Sequence, residues 1–358
     1  MEQGWAKGAG GRPQRLVWLA AVGALVVVLA GALALRLWLQ RASRFTGSAF
    51  AMDTLITVTV YGPRAAEHGR AALAEFDRLD KLLSAYRADS DIGRVNAAAG
   101  KEAVKVSRET VELVALSLRY AALSGGKFDP TIGPLVRLWG IGNGRTKPPA
   151  AVEVEMARRL VDYRRVMVDL PGRRLYLPRA GMALDLGGVA KGYAAERAAS
   201  LLRRRGVRSA LIDAGGNVVA IGTRPGGRPW RVGIRHPRRP GQILGVLTVV
   251  DRAVVTSGDY ERYFEADGRR YHHLLDPATG YPAEGLQSAT VVGRSSTLAD
   301  LLSTAVFVLG PERGPIFAQK HGAATVIVGT TGKVRVAPEL RTAWTPVLAQ
   351  SDGQGGRS

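Results

Sequence analysis

Apolar positions repeat along the chain with two different periods, and together they predict a protein of the α/β class. Residues 51–61 (AMDTLITVTVY) alternate between apolar and polar side chains, as a half-buried strand does. Residues 64–86 carry leucines and a phenylalanine at helical spacing, and 108–123 predict another helix that stops at two glycines. No internal repeat or linker follows residue 48, so we predict one α+β unit with mixed sheets.

The N-terminal region has a different pattern, because residues 16–35 contain no charged or strongly polar side chain. This run has the length of one membrane-spanning helix. We predict a short basic tail (1–15), a transmembrane signal-anchor helix (16–38), a folded domain (47–347) and a disordered tail (348–358).

Basic residues flank both ends of the apolar run, so the charge pattern gives no orientation. A single anchor before a large folded domain favours a single-pass protein of the cell membrane. Its domain is expected to be extracytoplasmic, either periplasmic or on the outer face. The sequence Ala32-Leu33-Ala34 leaves open whether the anchor is cleaved.

Composition excludes several kinds of site. The chain has no cysteine, which excludes disulfides, thiolate metal sites, a cysteine nucleophile and a lipoprotein-type anchor. The formal net charge is +20, most of it arginine in scattered pairs. Nucleic-acid-binding proteins concentrate such charge on one face with interleaved aromatic residues, and no such stripe occurs. We expect no nucleic-acid partner, although strongly salt-dependent DNA binding would support that alternative.

Residues 182–193 (MALDLGGVAKGY) form the most informative segment of the chain. An apolar strand runs into Asp185, turns at two glycines and opens a helix over 189–205 with Lys191 in its first turn. Helix N-terminal N–H groups, glycines and a lysine are suited to binding phosphate. The spacing is not that of a Walker loop, and by itself it is also typical of an ordinary strand–helix connection.

Asp300 and Thr304 lie one turn apart on a helix that the pattern predicts to begin near residue 296. A carboxylate and a hydroxyl on one helix face suit Mg²⁺, which takes oxygen ligands. The alternative is purely structural, because Thr297 followed by Asp300 also resembles a helix N-terminal capping arrangement.

His272 and His273 precede an Asp-Pro turn. Adjacent side chains of a strand point to opposite faces, so only one of the two histidines can enter a given site. Histidine is well suited to proton transfer near neutral pH, but such a pair is also commonly structural. A zinc site is disfavoured, because the chain lacks both H-E-x-x-H and cysteine.

Three other segments are typical of turns: residues 128–131 (FDPT), 215–217 (GGN) and 257–260 (SGDY). The glycines of 215–217 form either a hairpin only or a place where a ligand approaches the backbone closely. Neither G-x-S-x-G nor an early G-x-G-x-x-G occurs, which disfavours an α/β-hydrolase and a Rossmann site.

The order of these segments resembles the ApbE family, the FAD:protein FMN transferases. The similar blocks are residues 51–54, 83–96, 126–135, 185–193, 213–216, 257–260, 273–282 and 299–305. The resemblance spans about residues 50–346. Two positions depart from the family pattern: Lys127 replaces a small residue, and Asp53 replaces a common glycine.

The resemblance implies an ApbE/T-fold-like domain in two lobes around one FAD. It implies Mg²⁺-dependent transfer of the FMN moiety of FAD to a threonine hydroxyl of an acceptor redox flavoprotein, with release of AMP. Mg²⁺ would be bound by the Gly188 carbonyl, Asp300 and Thr304. The residues implied to contact FAD are Met52, Tyr86, Lys127, Phe128, Asp129, Asp185, Lys191 and Leu274.

Three of the implied site residues carry candidate catalytic roles. His273 is expected to take the threonine proton, with Asp185 as the rival base, and Lys191 adds a positive charge near the phosphates. Two alternatives remain at this stage. An FAD pyrophosphatase would use water in place of threonine, and a non-catalytic FAD-binding protein would retain FAD unchanged.

Overall fold

The computed structural model describes residues 17–19, 21–31 and 43–347. The predicted tails, 1–15 and 348–358, lie outside the described residues, and so does part of the predicted anchor, 16–38. Residues 17–19 and 21–31 are helical and are called α1. Within the described ranges, no helix is both long and apolar enough to cross a membrane.

In the domain most helices come before residue 205, and a run of eight strands separates the last two α-helices. The remaining helices are α2 (Ala65–Leu83), α3 (Asp91–Ala97), α4 (Arg108–Leu123), α5 (Gly133–Trp139), α6 (Ala151–Arg158), α7 (Ala190–Arg204) and α8 (Ser296–Lys320). The strands are β1 (Arg44–Ala51), β2 (Thr54–Tyr61), β3 (Val104–Lys105), β4 (Met167–Asp169), β5 (Arg174–Tyr176), β6 (Ser209–Ala214), β7 (Asn217–Gly222), β8 (Trp230–Arg235), β9 (Ile243–Val249), β10 (Ala253–Gly258), β11 (Tyr263–Ala266), β12 (Arg269–His272), β13 (Leu286–Gly293), β14 (Ala324–Gly329), β15 (Val334–Val336) and β16 (Trp344–Pro346).

An eight-stranded sheet in the order β1-β2-β6-β7-β10-β13-β14-β15 organises the domain. Helices α2, α7 and α8 pack on one face, and the small sheet β16-β9-β8 packs on the other. Central strands such as β7 and β13 are therefore buried on both faces, which explains the apolar run of β7 from Val218 to Ile221. The α/β class is confirmed. The prediction of mixed sheets is wrong, because every strand pair of the described residues is antiparallel.

The first predicted strand, 51–61, is instead a hairpin turn followed by β2. Ala51 pairs with Thr54, so only Met52 and Asp53 form the turn. Their φ angles are 52° and 58°, which fits the turn type that matches strand twist in two-residue hairpins. Aspartate tolerates this left-handed conformation better than most residues, which explains how Asp53 is accommodated.

The apolar segment before Asp185 is not a strand, and this part of the prediction is wrong. The side chain of Asn96 donates to the Leu184 carbonyl (2.9 Å) and accepts from the Leu184 N–H (2.7 Å). The Asp185 N–H donates to the Pro130 carbonyl at 2.8 Å. A side chain and a loop thus satisfy backbone groups that a neighbouring strand would otherwise have paired.

The helix carrying Asp300 begins where the sequence predicts, near residue 296. It is α8, which runs from Ser296 to Lys320 with a break at Gly310. Gly310 has φ 80°, outside the helical region, and Pro311 follows it. The early part of α8 contributes many buried side chains, so burial against the sheet fixes the segment that contains Asp300.

Candidate active site

A cleft of about 620 Å³ opens at one edge of the large sheet. At this edge β1, β6 and β10 end while β2 and β7 begin, so their turns face the same space. Every residue implied for FAD, metal or catalysis lines it. These are Met52, Tyr86, Lys127, Phe128, Asp129, Asp185, Gly188, Lys191, His273, Leu274, Asp300 and Thr304.

Asp300 lies in the wall of the cleft where α8 crosses the start of α7. Its side chain is 3% exposed, and Oδ2 accepts the Gly192 N–H at 2.7 Å. A Cβ on Gly192 would lie 2.4 Å from the Asp300 Cβ, so only glycine permits this close approach. The hydrogen bond from Gly192 fixes the position of the carboxylate. The other carboxylate oxygen, Oδ1, takes no part in this bond.

Thr304 lies one turn after Asp300 and close to Gly188. A Cβ on Gly188 would be 3.1 Å from the Thr304 hydroxyl and 3.1 Å from the Phe128 ring. Glycine at 188 therefore brings its backbone against Thr304. One carboxylate, one hydroxyl and a backbone carbonyl form a hard oxygen donor set, which suits Mg²⁺ that completes its shell with water or phosphate.

The structure does not support the capping alternative for Asp300. The N-cap of α8 is Ser295, whose Oγ accepts the Leu298 N–H at 3.2 Å. The Thr297 N–H donates to Glu196 at 2.8 Å. Asp300 thus interacts with the N-terminus of α7, a different helix, rather than with its own.

The start of α7 was expected to offer N–H groups to phosphate, but several of them are already used. Val189 and Ala190 both donate to the Leu186 carbonyl, at 2.9 and 2.8 Å, and Gly192 donates to Asp300. Lys191 Nζ donates to the Gly187 carbonyl at 3.1 Å and lines the cleft. The positive charge that this segment offers to a phosphate therefore comes from the Lys191 side chain more than from backbone N–H groups.

The two adjacent histidines face opposite ways, as the strand pattern predicts. His272 is 5% exposed, its Nε2 contacts the Ala283 carbonyl (3.0 Å), and its Nδ1 accepts the Leu274 N–H (3.3 Å). It also packs edge-on against Phe307. His273 lines the cleft. His272 is structural, and His273 is available to a ligand.

Desolvation lowers the pKa of His273 to about 3, and the positive charges of Arg262 and Lys191 contribute in the same direction. Its Nδ1 lies 3.3 Å from the Arg262 carbonyl. With the proton on Nδ1, donating to that carbonyl, Nε2 is left as the acceptor. A bound polyanion would offset the neighbouring cations and raise this pKa.

The low pKa of His273 predicts acid sensitivity. Between about pH 6.5 and 3 the unfolded chain binds a proton that the folded chain does not, so stability falls as the pH falls. We expect His273→Gln to remove this contribution. As the pH is lowered from about 6 to 4, the free energy of unfolding of the variant should rise relative to that of the wild type by about 1.4 kcal/mol for each pH unit. Urea unfolding at several pH values measures this, and a constant difference would contradict it.

Asp185 also lines the cleft, and its Oδ1 accepts the Gly187 N–H at 2.8 Å. Burial raises the pKa of Asp185, while Arg262 and Lys191 act in the opposite direction. Asp185 therefore stays a rival to His273 for the proton-accepting role.

Both carboxylate oxygens of Asp129 accept hydrogen bonds within the wall of the cleft. Its Oδ1 accepts from the Thr131 N–H (2.7 Å) and hydroxyl (2.6 Å), and its Oδ2 accepts from the Tyr163 N–H (3.2 Å). Burial raises the pKa of Asp129. These bonds hold the loop that carries Phe128, which is 5% exposed.

Lys127 makes an ion pair that the sequence did not reveal. Its Nζ contacts Asp276 Oδ2 at 2.7 Å, and the two side chains are 25% and 15% exposed. The pair joins the Phe128 loop to the turn after His273 and Leu274. The contact of Lys127 with FAD stays a prediction.

The Lys127–Asp276 pair should contribute measurably to stability. Removing either partner leaves a partly desolvated charge, so Lys127→Ala is expected to lower the free energy of unfolding by about 1–3 kcal/mol. A double-mutant cycle with Asp276→Ala should give a coupling energy of at least about 1 kcal/mol. Chemical denaturation measures it, and additive effects would mean that the pair contributes nothing.

Sequence reasoning missed several residues of the cleft. Arg262 lies at its edge beside His273, two residues beyond the SGDY segment, and no ion pair to it is formed among the described side chains. Asn217 lines the cleft directly after the two glycines at 215–216. Arg262 follows a segment that had been given only as a turn, and Asn217 ends the segment whose glycines had been given as a hairpin or a place of close ligand approach.

Tyr86, Met52 and Leu274 supply the apolar surface of the cleft. Tyr86 lies beyond the end of α2 and is 58% exposed, whereas Leu274 is 7% exposed. The cleft therefore combines apolar surface with convergent polar and charged groups, and polar groups of this kind fix the orientation of a small molecule.

The fold and the cleft together define an α/β ligand-binding protein in which hard oxygen donors face a lysine and a histidine. The chain belongs to the ApbE family, whose sequence model matches residues 52–328.

Curated relatives agree with this assignment. The chain is 40% identical over 293 residues to an FAD:protein FMN transferase of Treponema pallidum, covering 76% of this chain and 81% of the relative. It is 31% identical over 288 residues to an FAD:protein FMN transferase of Escherichia coli K12, covering 78% and 82%.

Solved structures share the fold. The ApbE protein of Thermotoga maritima superposes with a TM-score of 0.78 at 34% identity, over 84% of this chain and 99% of that one. The apo flavinyl transferase ApbE of Pseudomonas stutzeri gives a TM-score of 0.74 at 35% identity, over 86% and 98%.

Proposed function

We propose that this chain is an FAD:protein FMN transferase that transfers the FMN moiety of FAD to a threonine hydroxyl of an acceptor flavoprotein. The observation that carries the proposal is that all residues implied by the family resemblance, although far apart in sequence, line one cleft. The relatives at 31–40% identity support the same activity.

FAD fits the chemistry of the cleft walls. The ring of Tyr86 at the mouth, with Met52 and Leu274, provides apolar surface for the flavin. Lys191 and Arg262 provide positive charge for the pyrophosphate. Because the phosphates are anionic, these cations favour binding, and their attraction is stronger when the salt concentration is low.

Gly188, Asp300 and Thr304 would hold Mg²⁺, since their oxygens form the hard donor set described above. When bound, the ion would neutralise pyrophosphate charge. The described residues contain no group of three or more His, Cys, Asp or Glu side chains that could hold a metal alone. A single carboxylate suits an ion that shares its shell with substrate phosphates.

The transfer forms one bond and breaks one. The threonine oxygen bonds to the phosphorus of the FMN half, and the bond from that phosphorus to the bridging oxygen breaks, so AMP leaves with that oxygen. Nε2 of His273 takes the threonine proton, because the imidazole is neutral at neutral pH and can accept it, and Asp185 is the rival base. Lys191 supports the negative charge that develops on the leaving phosphate.

We further propose that the domain of residues 47–347 is two-lobed and T-fold-like, follows an N-terminal membrane anchor and acts outside the cytoplasm. The uncharged run at residues 16–35 supports the anchor. Export would place the enzyme near exported or membrane-bound redox subunits as acceptors.

The proposal is tested with the full-length chain, FAD, Mg²⁺ and an acceptor domain from a flavinylated protein. AMP release that requires the acceptor, with flavin fluorescence on the acceptor after denaturing electrophoresis, is the expected result. AMP and FMN released equally without any acceptor would favour the pyrophosphatase. FAD retained intact would favour a binding protein and overturn both catalytic functions.

A further inference from the structure

The side-chain nitrogen of Asn217 is a buried polar atom for which the structure provides no hydrogen-bond partner. Asn217 is only 2% exposed, yet it lines the cleft. Among the buried side-chain atoms left unpaired in the described part of the chain, this is the one whose residue lines the cavity. Such an atom destabilises the folded state unless a ligand or water supplies its partner.

The strand neighbours of Asn217 cannot supply that partner. Asn217 is the first residue of β7, paired with Ala214 of β6 and Val255 of β10. Both neighbouring side chains are apolar. A hydrogen-bond partner for the side-chain nitrogen of Asn217 must therefore come from the cleft rather than from the sheet.

The face of the sheet on which Asn217 lies is also fixed by this register. Directly paired residues point to the same face, so Asn217 shares a face with Val255 and, two residues along β10, with Ser257. The Ser257 hydroxyl contacts the Ser303 hydroxyl of α8 at 2.8 Å. Asn217 therefore faces the helix that carries Asp300 and Thr304.

We propose that Asn217 is a binding residue for the phosphate-bearing part of the dinucleotide, its Nδ2 donating a hydrogen bond to a phosphate oxygen. An amide nitrogen is only a donor, so its partner must be an acceptor. On the side of the cleft that Asp300 and Thr304 line, phosphate oxygens are the acceptors that FAD brings. This inference rests on the proposed function and adds a residue to its substrate site.

Asparagine suits this position because it donates without adding charge. Replacement by aspartate keeps the size and shape of the side chain but exchanges the donor for a negatively charged acceptor. Asn217→Asp therefore tests the hydrogen bond with little change in packing. Ser209→Ala is the matched control, because Ser209 Oγ is also buried and unpaired, at the opposite end of β6 and outside the cleft.

The test measures dissociation constants of the full-length protein for three probes: FAD, ADP (phosphates without flavin) and riboflavin (flavin without phosphate). Asn217→Asp is expected to weaken FAD and ADP binding by about tenfold or more, since a bond to a charged acceptor is lost and a like charge is introduced. Riboflavin binding should change by less than about twofold. Ser209→Ala should leave all three constants unchanged.

Equal weakening of riboflavin and FAD would overturn the inference, because it would indicate a general distortion of the cleft. Unchanged FAD and ADP binding in Asn217→Asp would overturn it as well. These outcomes concern binding alone, so they are distinguishable from failure of the proposed function, which would appear as an unlabelled acceptor in the transfer assay with the wild-type chain.

Discussion

Asp300→Asn is expected to reduce kcat/KM for FMN transfer by about a thousandfold or more while the protein stays folded. The charge that would hold Mg²⁺ is lost, and with it several kcal/mol of stabilisation of the transferring phosphate, at about 1.4 kcal/mol per tenfold in rate. The fold is retained because the asparagine Oδ1 can still accept the Gly192 N–H that Asp300 accepts at 2.7 Å. Initial rates of AMP release and urea unfolding measure the two effects separately.

Two further variants complete the Asp300 experiment. Asp300→Ala loses the bond to Gly192 as well, so it should lose both activity and stability. Asp91→Asn is the matched control, because Asp91 is 5% exposed and accepts from Thr110 Oγ1 at 2.7 Å, away from the cleft. It should lose stability but keep its specific activity. Near-wild-type activity in Asp300→Asn would contradict the metal assignment.

His273→Gln is expected to lower kcat by about 10²- to 10⁴-fold with little change in the affinity for FAD. The reason is that glutamine preserves polarity and approximate size but cannot take the threonine proton. Single-turnover transfer to the acceptor, together with FAD titration, measures chemistry and binding separately.

The neighbouring His272 provides the internal control. His272→Gln should lower the free energy of unfolding by about 1–3 kcal/mol, since its contacts to Ala283 and Leu274 are lost, and should keep most of the specific activity. Asp185→Asn tests the rival base. If that variant lost more of kcat than His273→Gln did, Asp185 would replace His273 in the mechanism.

The residues of the cleft could be predicted from sequence because each stands in a short block with a recognisable order. The block around Asp185 and Lys191 and the pair Asp300/Thr304 predicted both the helices and the chemistry. What the blocks could not predict is which partner each side chain meets. Asp300 was weighed as a cap of its own helix, but it binds the N-terminus of α7, more than a hundred positions earlier in sequence.

Other differences between the sequence-based predictions and the structure have the same cause, because contacts between residues far apart in the chain override the local sequence pattern. The segment before Asp185 has the composition of a strand, yet Asn96 takes its backbone hydrogen bonds. Lys127 pairs with Asp276 across 149 positions, which no spacing rule reveals. The hairpin turn at Met52 and Asp53 was missed because aspartate stands where glycine would have marked the turn.

The most direct test of the central claim is the mass of the acceptor after incubation with the full-length chain, FAD and Mg²⁺. The account predicts an acceptor heavier by one FMN minus one water, attached at a threonine, with one AMP released per acceptor modified. It also predicts no modification when that threonine is replaced by valine. An acceptor of unchanged mass while FAD is consumed would contradict the account and identify the protein as a hydrolase.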